Sequence, residues 1–393
     1  MTETRSTVSL IVHGVEVPID RSAFSTLFGN SIVSSRAPVL RALSGDPITW
    51  SKFVDLTRQA EIPYPLFFAP LAVVDEQLRL KNSKLLAGFN HQQFSVNSRN
   101  IVELRDVELI VKNLLHKQQL LRRHDRSLHK NGIVGRLKRE GPSIAADAAL
   151  LMRELGLESA EIQGARTKGA AIKLLIDRLE SKQILVAQAT KDYMPQTIPK
   201  WTKFSGMTIR DSKVPYIFLA GDEGERWEPD GRRLFTLTLL TVLMARDIFA
   251  PMSYGGHTKD PAASREYQLT EQLLMPADQV DPRLLRDLDG IRVEAGRFRV
   301  TPSAMTVRSW HLGHLSRERF EMYMDDLRAA FAPPTKHPYT AALPGNALRK
   351  YNGREASRRL LALLDAGSIR QNDFRRIVLL NRSTVSEFRS ALQ

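Results

Sequence analysis

Apolar positions along the chain alternate between short β-like runs and longer runs of helical period. Residues 9–19 read Ser-Leu-Ile-Val-His-Gly-Val-Glu-Val-Pro-Ile, two short β-like runs around His13-Gly14, which predicts a hairpin. From Arg21 the period becomes helical over 21–31, over 34–43 up to the stop Ser44-Gly45-Asp46-Pro47, and over 49–60. Residues 78–97 lack a period and predict an irregular linker. Over 100–129 the apolar residues Val107, Ile110, Val111, Leu114, Leu115, Leu120 and Leu121 predict one long helix. Two more helices are predicted at 145–156 and 168–181, then a strand at 183–188. The β-rich run Val214 to Ala220, bounded by Gly221-Asp222, predicts another strand. Helices are expected again at 281–287, 302–314 and 317–331, a Pro-rich linker at 332–345, and three short helices in 346–393. Trp310-His311-Leu-Gly-His314 reads as a helix end closed by Gly rather than a metal motif.

The stretch from Lys213 to Pro276 holds the sharpest pattern. After the strand at 214–220 come Arg232, Phe235-Thr236-Leu237 and a helix that is apolar nearly all round, so a buried one. Leu273-Leu274-Met275-Pro276 closes the stretch. This order resembles the ImmA/IrrE family of zinc-peptidase-like proteins, with its "RxxFTLAHELGH" helix and its later "ELLMP". The resemblance runs from about Ala145 to Pro276 and implies a zincin-like domain with a small sheet. A zinc peptidase needs two His four residues apart with a Glu beside the first. The matching positions here are Leu239, Leu240 and Leu243, and the third ligand position falls on Arg265. Leucine has no lone pair for a metal, so these are degenerate ligand and base positions. The resemblance therefore implies an inactive pseudo-metallopeptidase, with no catalytic residue, no metal and no cofactor. His257 and Glu266 are too few to rebuild a site.

Short helices with a Gly between the first two suggest a helix-turn-helix-like module. The run "Gly-Asp-Pro-Ile-Thr-Trp-Ser-Lys-Phe-Val-Asp-Leu" is similar to the back half of Xre/Cro-type domains, which would put Ser34, Ser35, Arg36 and Arg41 on or beside a recognition helix. A helical cap without DNA contact is the other reading of the same pattern.

Charge adds a partner. The 393 residues carry a formal net charge of +14, which favours a polyanion. Nine basic residues lie between positions 112 and 139: Lys112, Lys117, Arg122, Arg123, Arg126, Lys130, Arg136, Lys138 and Arg139, with Asp125 the one acid among them. Such a stripe can neutralise several phosphates, and the first six join Ser34, Ser35, Arg36 and Arg41 as candidate nucleic-acid contacts. Cysteine is absent, which excludes disulfides and thiolate metal sites. No apolar run reaches the roughly 18 residues of a membrane helix, and the opening residues lack the apolar core of a signal peptide, so a cytoplasmic protein without a membrane partner is expected.

The expected fold is α+β and mostly helical, in five segments. These are a hairpin with a helix-turn-helix-like module (1–77), a linker with a long basic helix (78–142), the degenerate peptidase-like domain (143–280), a helical extension (281–334) and a C-terminal three-helix unit (335–393). The expected function is a non-catalytic DNA-binding regulator or sensor of bacterial or phage type. The alternative is a protein-interaction module, such as an antitoxin, immunity or phage-defence component, holding a partner in the former substrate cleft. A protein partner and homo-oligomerisation stay open.

Overall fold

The computed structural model describes residues 6–85, 104–199, 202, 204–223, 226–249, 251–253, 264–331 and 342–393. It is a mixed α+β protein, mostly helical. Contacts divide the chain into two units, Met1–Gly88 with Val102–Lys112, and Phe89–Ile101 with Asn113–Gln393. The segment expected at 78–142 is thus cut at residue 112.

In the first unit, β1 (Thr7–Val12) and β2 (Val15–Asp20) pair antiparallel. His13 and Gly14 join them at φ of 49° and 82°, the two positive values that a tight hairpin turn following the strand twist requires. Asp20 ends β2 and caps α1 (Arg21–Gly29), its Oδ1 accepting from the Ala23 amide at 2.8 Å. α2 (Ala37–Ser44) stops at Gly45, whose φ of 108° is open to glycine. β3 (Ile48–Thr49) then pairs parallel to β1, with Leu10 opposite Ile48. α3 (Trp50–Gln59), a 3-10 turn at Tyr64–Phe68, α4 (Leu71–Leu85) and the start of α5 (Leu104–His124) follow. The core is aromatic: ring centroids lie 4.9 Å apart for Phe24 and Phe28, 4.6 Å for Phe28 and Phe67, and 5.0 Å for Phe53 and Phe67.

Two expectations change here. Residues 78–85 belong to α4 rather than to a linker, because Val74 and Leu85 bury one narrow edge of a helix that is otherwise polar; the rest of that expected linker, 86–97, lies outside the described residues. The connection between α1 and α2, residues 30–36, is longer than the ~3–4-residue turn of a helix-turn-helix.

The second unit continues α5 from Asn113. α6 (Ile144–Leu155), α7 (Ser159–Gly164) and α8 (Lys168–Ser181) precede β4 (Leu185–Gln188), β5 (Phe204–Ile209) and β6 (Tyr216–Leu219). The small pair β7 (Asp222–Glu223) and β8 (Arg226–Trp227) leads into α9 (Asp230–Ala245), then β9 (Pro251–Ser253) and α10 (Arg265–Leu274). Four of these strands make one sheet in the order β4-β6-β5-β9, parallel between β4 and β6 and antiparallel elsewhere. α9 packs on the face of this sheet between α8 and α10.

α11 (Leu288–Arg297), α12 (Pro302–His311) and α13 (Arg317–Ala329) follow. α11 replaces the helix expected at 281–287, where only a 3-10 turn, Pro282–Arg286, forms. At the end of α12, Gly313 takes φ of 75° and Ser316 caps α13. The tail has four helices instead of three: α14 (Pro344–Asn352), α15 (Arg354–Asp365), α16 (Gln371–Ile377) and α17 (Val385–Ser390). α14 packs against β4 and α15 against α8, so the tail is part of this unit's core, burying Leu348, Tyr351, Leu360, Phe374 and Phe388.

Candidate functional site

α9 is buried along nearly its whole length, from Leu234 to Ala245 apart from half-buried Phe235. Leu239, Leu240 and Leu243 are 2%, 0% and 0% exposed, so the three degenerate positions point into packed hydrocarbon. Leu240 presses on the sheet at Gly206, where an added Cβ would stand 2.9 Å from its Cδ1 and 2.5 Å from the Phe218 carbonyl oxygen. The helix carries threonines without stranding them: the hydroxyls of Thr238 and Thr241 donate to the carbonyls of Leu234 and Leu237 at 2.9 and 2.8 Å.

Arg265, at the start of α10, turns toward acids. Its Nη2 lies 2.6 Å from Asp147 Oδ2 of α6, and the same buried carboxylate accepts from the Gly141 amide. Glu266 is taken by Arg246 at 3.2 Å and by the Ser264 hydroxyl at 2.7 Å, and Arg246 also reaches Glu140 and the Leu137 carbonyl. These pairs tie α6, α9 and α10 into one block. Three leucines and a guanidinium held by carboxylates offer no donor set for zinc, so these residues do not fit that ion. His257 lies outside the described residues.

The candidate nucleic-acid residues fall into two groups, one in each unit. In the first, Ser34 and Ser35 lie in the turn ahead of α2 rather than on it, Arg36 is its N-cap residue, and Arg41 stands in its last turn. Ser35, Arg36 and Arg41 are exposed and Ser34 is half-buried. Lys112 is held by Glu108 at 2.8 Å and Glu61 at 3.4 Å. In the second unit, Lys117 is a correction. It is 0% exposed, so it cannot touch a phosphate. Its Nζ sits 4.2 Å over the Tyr351 ring without a hydrogen-bond partner, and burial pushes the amine well below the ordinary lysine range.

Beyond the buried stripe the cations reach solvent. Arg122 is exposed yet pairs with Asp211 at 3.2 Å, Arg136 with Glu154 and Lys138 with Asp247. Arg123, Arg126, Lys130 and Arg139 are exposed and have no acidic partner among the described residues.

Two basic residues that the sequence does not single out join this group. The Asn131 amide donates to the Ser212 carbonyl at 2.8 Å, and its side-chain Nδ2 donates to the Lys182 carbonyl at 2.7 Å. Gln183, in the left-handed region at φ of 59°, donates through Nε2 to the carbonyls of His129 and Lys213 at 3.0 and 3.1 Å. Asp211 Oδ1 accepts from the amides of Lys213 and Val214. These buried side chains draw the segments around 130, 182 and 213 together, and Lys130, Lys182 and Lys213 are all exposed there. Lys182 and Lys213 stand as isolated cations in the sequence; the parallel pairing of β4 with β6 sets them side by side, and the contacts of Asn131 and Gln183 tie them to the loop of Lys130.

Comparison with protein-family models, with curated proteins and with solved structures returns no match to this chain.

Proposed function

We propose that the chain is a non-catalytic DNA-binding regulatory protein of bacterial or phage type, built on a domain of ImmA/IrrE resemblance that binds rather than cuts. The observation that carries this reading is the run of exposed cations, without an acidic partner among the described residues, at the end of α5 and in the segment that follows it: Arg123, Arg126, Lys130 and Arg139. Cations paired to carboxylates have little left for a phosphate, whereas these four are free among the described residues to displace counterions from a duplex. The buried leucines at the degenerate positions support a role without peptide hydrolysis, since no group there activates water. A partner-protein module would need an open cleft along α9, and α9 is packed on nearly every side.

Fluorescence anisotropy with the promoter region of the protein's own operon, against scrambled duplex of equal length over a salt series, tests the proposal. Tighter binding to the native duplex is expected, with a log–log salt slope of about −4 if four cations each meet a phosphate. Equal and weak binding to both duplexes would defeat the regulatory reading.

A further inference from the structure

Resting on that DNA-binding reading, we propose that the surface where the segments around Lys130, Lys182 and Lys213 converge is the one that meets the DNA, as a sequence-independent seat for the phosphate backbone of a duplex. The segments come from separate parts of the chain: the loop after α5, the end of α8, and the turn before β6. Asn131 and Gln183 hold them together with four hydrogen bonds of 2.7–3.1 Å to the main chain at 129, 182, 212 and 213. Both amides are buried, at 4% exposure each, so the juxtaposition belongs to the folded core and not to surface chance. The side chains it presents, Lys130, Lys182 and Lys213, are exposed and have no ion-pair partner among the described residues, with Arg123 and Arg126 leading into the same loop. Two acids of these segments are already engaged: Asp211 by Arg122 and two backbone amides, Asp125 by Arg359 and Ser127. Their charge is therefore largely answered within the fold, and the lysines face outward as net positive charge.

Chemistry selects the occupant. None of the large apolar side chains exposed on the described residues lies in these three segments. A protein interface needs an apolar, desolvated centre, and single-stranded nucleic acid is gripped by aromatic platforms on which bases stack. Neither is offered here. Lysines are flexible point charges without the planar fork that reads base edges, so the surface suits backbone phosphates and carries no base specificity of its own.

The test uses the full chain and a fluorescein-labelled, mixed-sequence DNA duplex, with anisotropy read over a salt series. Three forms are compared: the native protein, the triple substitution Lys130→Ala, Lys182→Ala and Lys213→Ala, and a control with the same loss of charge, Arg153→Ala, Arg166→Ala and Arg319→Ala. All six positions are exposed, so matching thermal melts are expected for the three proteins. The lysine triple should bind at least tenfold more weakly at low salt and lose about one unit of salt slope per phosphate contact removed. The arginine triple should stay within about twofold of native. If both triples weaken binding equally, the surface is not a site, and DNA binding is then a matter of net charge alone. If the native protein fails to bind the duplex even at low salt, the DNA-binding reading itself falls, and this surface with it.

Discussion

Lys117 lies three residues after Leu114 and four before Leu121, on the stripe that α5 buries. The helical period that predicts α5 therefore already contained this residue's fate, and counting it among the cations of a basic run concealed it. A buried amine without a hydrogen-bond partner destabilises the fold whichever charge it carries. Lys117→Met, similar in length and apolar, should stabilise the protein by about 1–3 kcal/mol in chemical denaturation at neutral pH. Its DNA affinity should match the native protein's. A loss of stability would mean that the contact over the Tyr351 ring outweighs desolvation. Glu180 is a second buried group that sequence alone does not flag. It reaches from the end of α8 to the first turn of α15, accepting from the Glu355 amide at 3.1 Å. Burial pushes its carboxyl up to about 7, against the amides of Glu355 and Val186, with the charges of Glu355 and Asp177 adding to the rise. The native state thus holds a proton that the unfolded chain releases near 4.5. The stability this lends is complete below that value and is lost as pH rises through about 7, a span of about 3 kcal/mol. Glu180→Gln should flatten that part of the decline, seen as a smaller fall in Tm between pH 5 and 8 than in the native protein. An unchanged fall would assign the pH dependence to other groups.

At the scale of elements, legibility followed the strength of the period. The hairpin, α3, α6, α8 and the strands β4 and β6 lie close to where alternation and helical spacing put them. α4 and α11 were illegible for the opposite reason: α4 buries only Val74 and Leu85, and α11 only Ile291, Glu294 and Ala295, so polar residues dilute the stripe. The candidate site divides the same way. The burial of Leu239, Leu240 and Leu243 follows from a helix apolar on all sides, whereas the meeting of Lys130, Lys182 and Lys213 depends on the β4–β6 pairing and on hydrogen bonds of Asn131 and Gln183 between distant segments, which no spacing encodes. The packing of α9 on the sheet rests on Gly206, since a methyl group there would meet backbone at 2.5 Å as well as Leu240. A carbonyl oxygen in a central strand cannot swing aside as a flexible side chain can. Gly206→Ala should therefore cost more than about 2 kcal/mol, comparable to overpacking a core. Leu240→Ala, which empties the same contact, should cost about 2–5 kcal/mol. Urea denaturation of both variants measures this, and near-native midpoints would mean that α9 rides on the sheet more loosely than these distances imply.

For the molecule as a whole, the tail decides how many parts can stand alone. The expected C-terminal unit at 335–393 reads from its sequence as a small helical module, and short amphipathic helices joined by tight turns would look the same whether they fold alone or lean on a neighbour. In the structure they lean. The Tyr351 hydroxyl donates to Asn113 Oδ1 at 3.0 Å, Asn113 Nδ2 donates to the Ile377 carbonyl at 2.9 Å, and Arg359 pairs with Asp125 at 2.7 Å. Buried polar groups linked this way carry a large penalty if only one side is present, because each orphaned donor or acceptor stays desolvated. A chain cut before Pro344 would expose β4 and α8 and leave Asn113, Lys117 and Glu180 facing a void or water. It should melt well below the full chain or fail to remain in solution. The excised tail, residues 344–393, is at the size where a core is marginal without help, and its helices are each too short to persist alone in water. Circular dichroism of that fragment should show low helicity and no cooperative melt. A sharp unfolding transition from the isolated tail would instead make it an autonomous module.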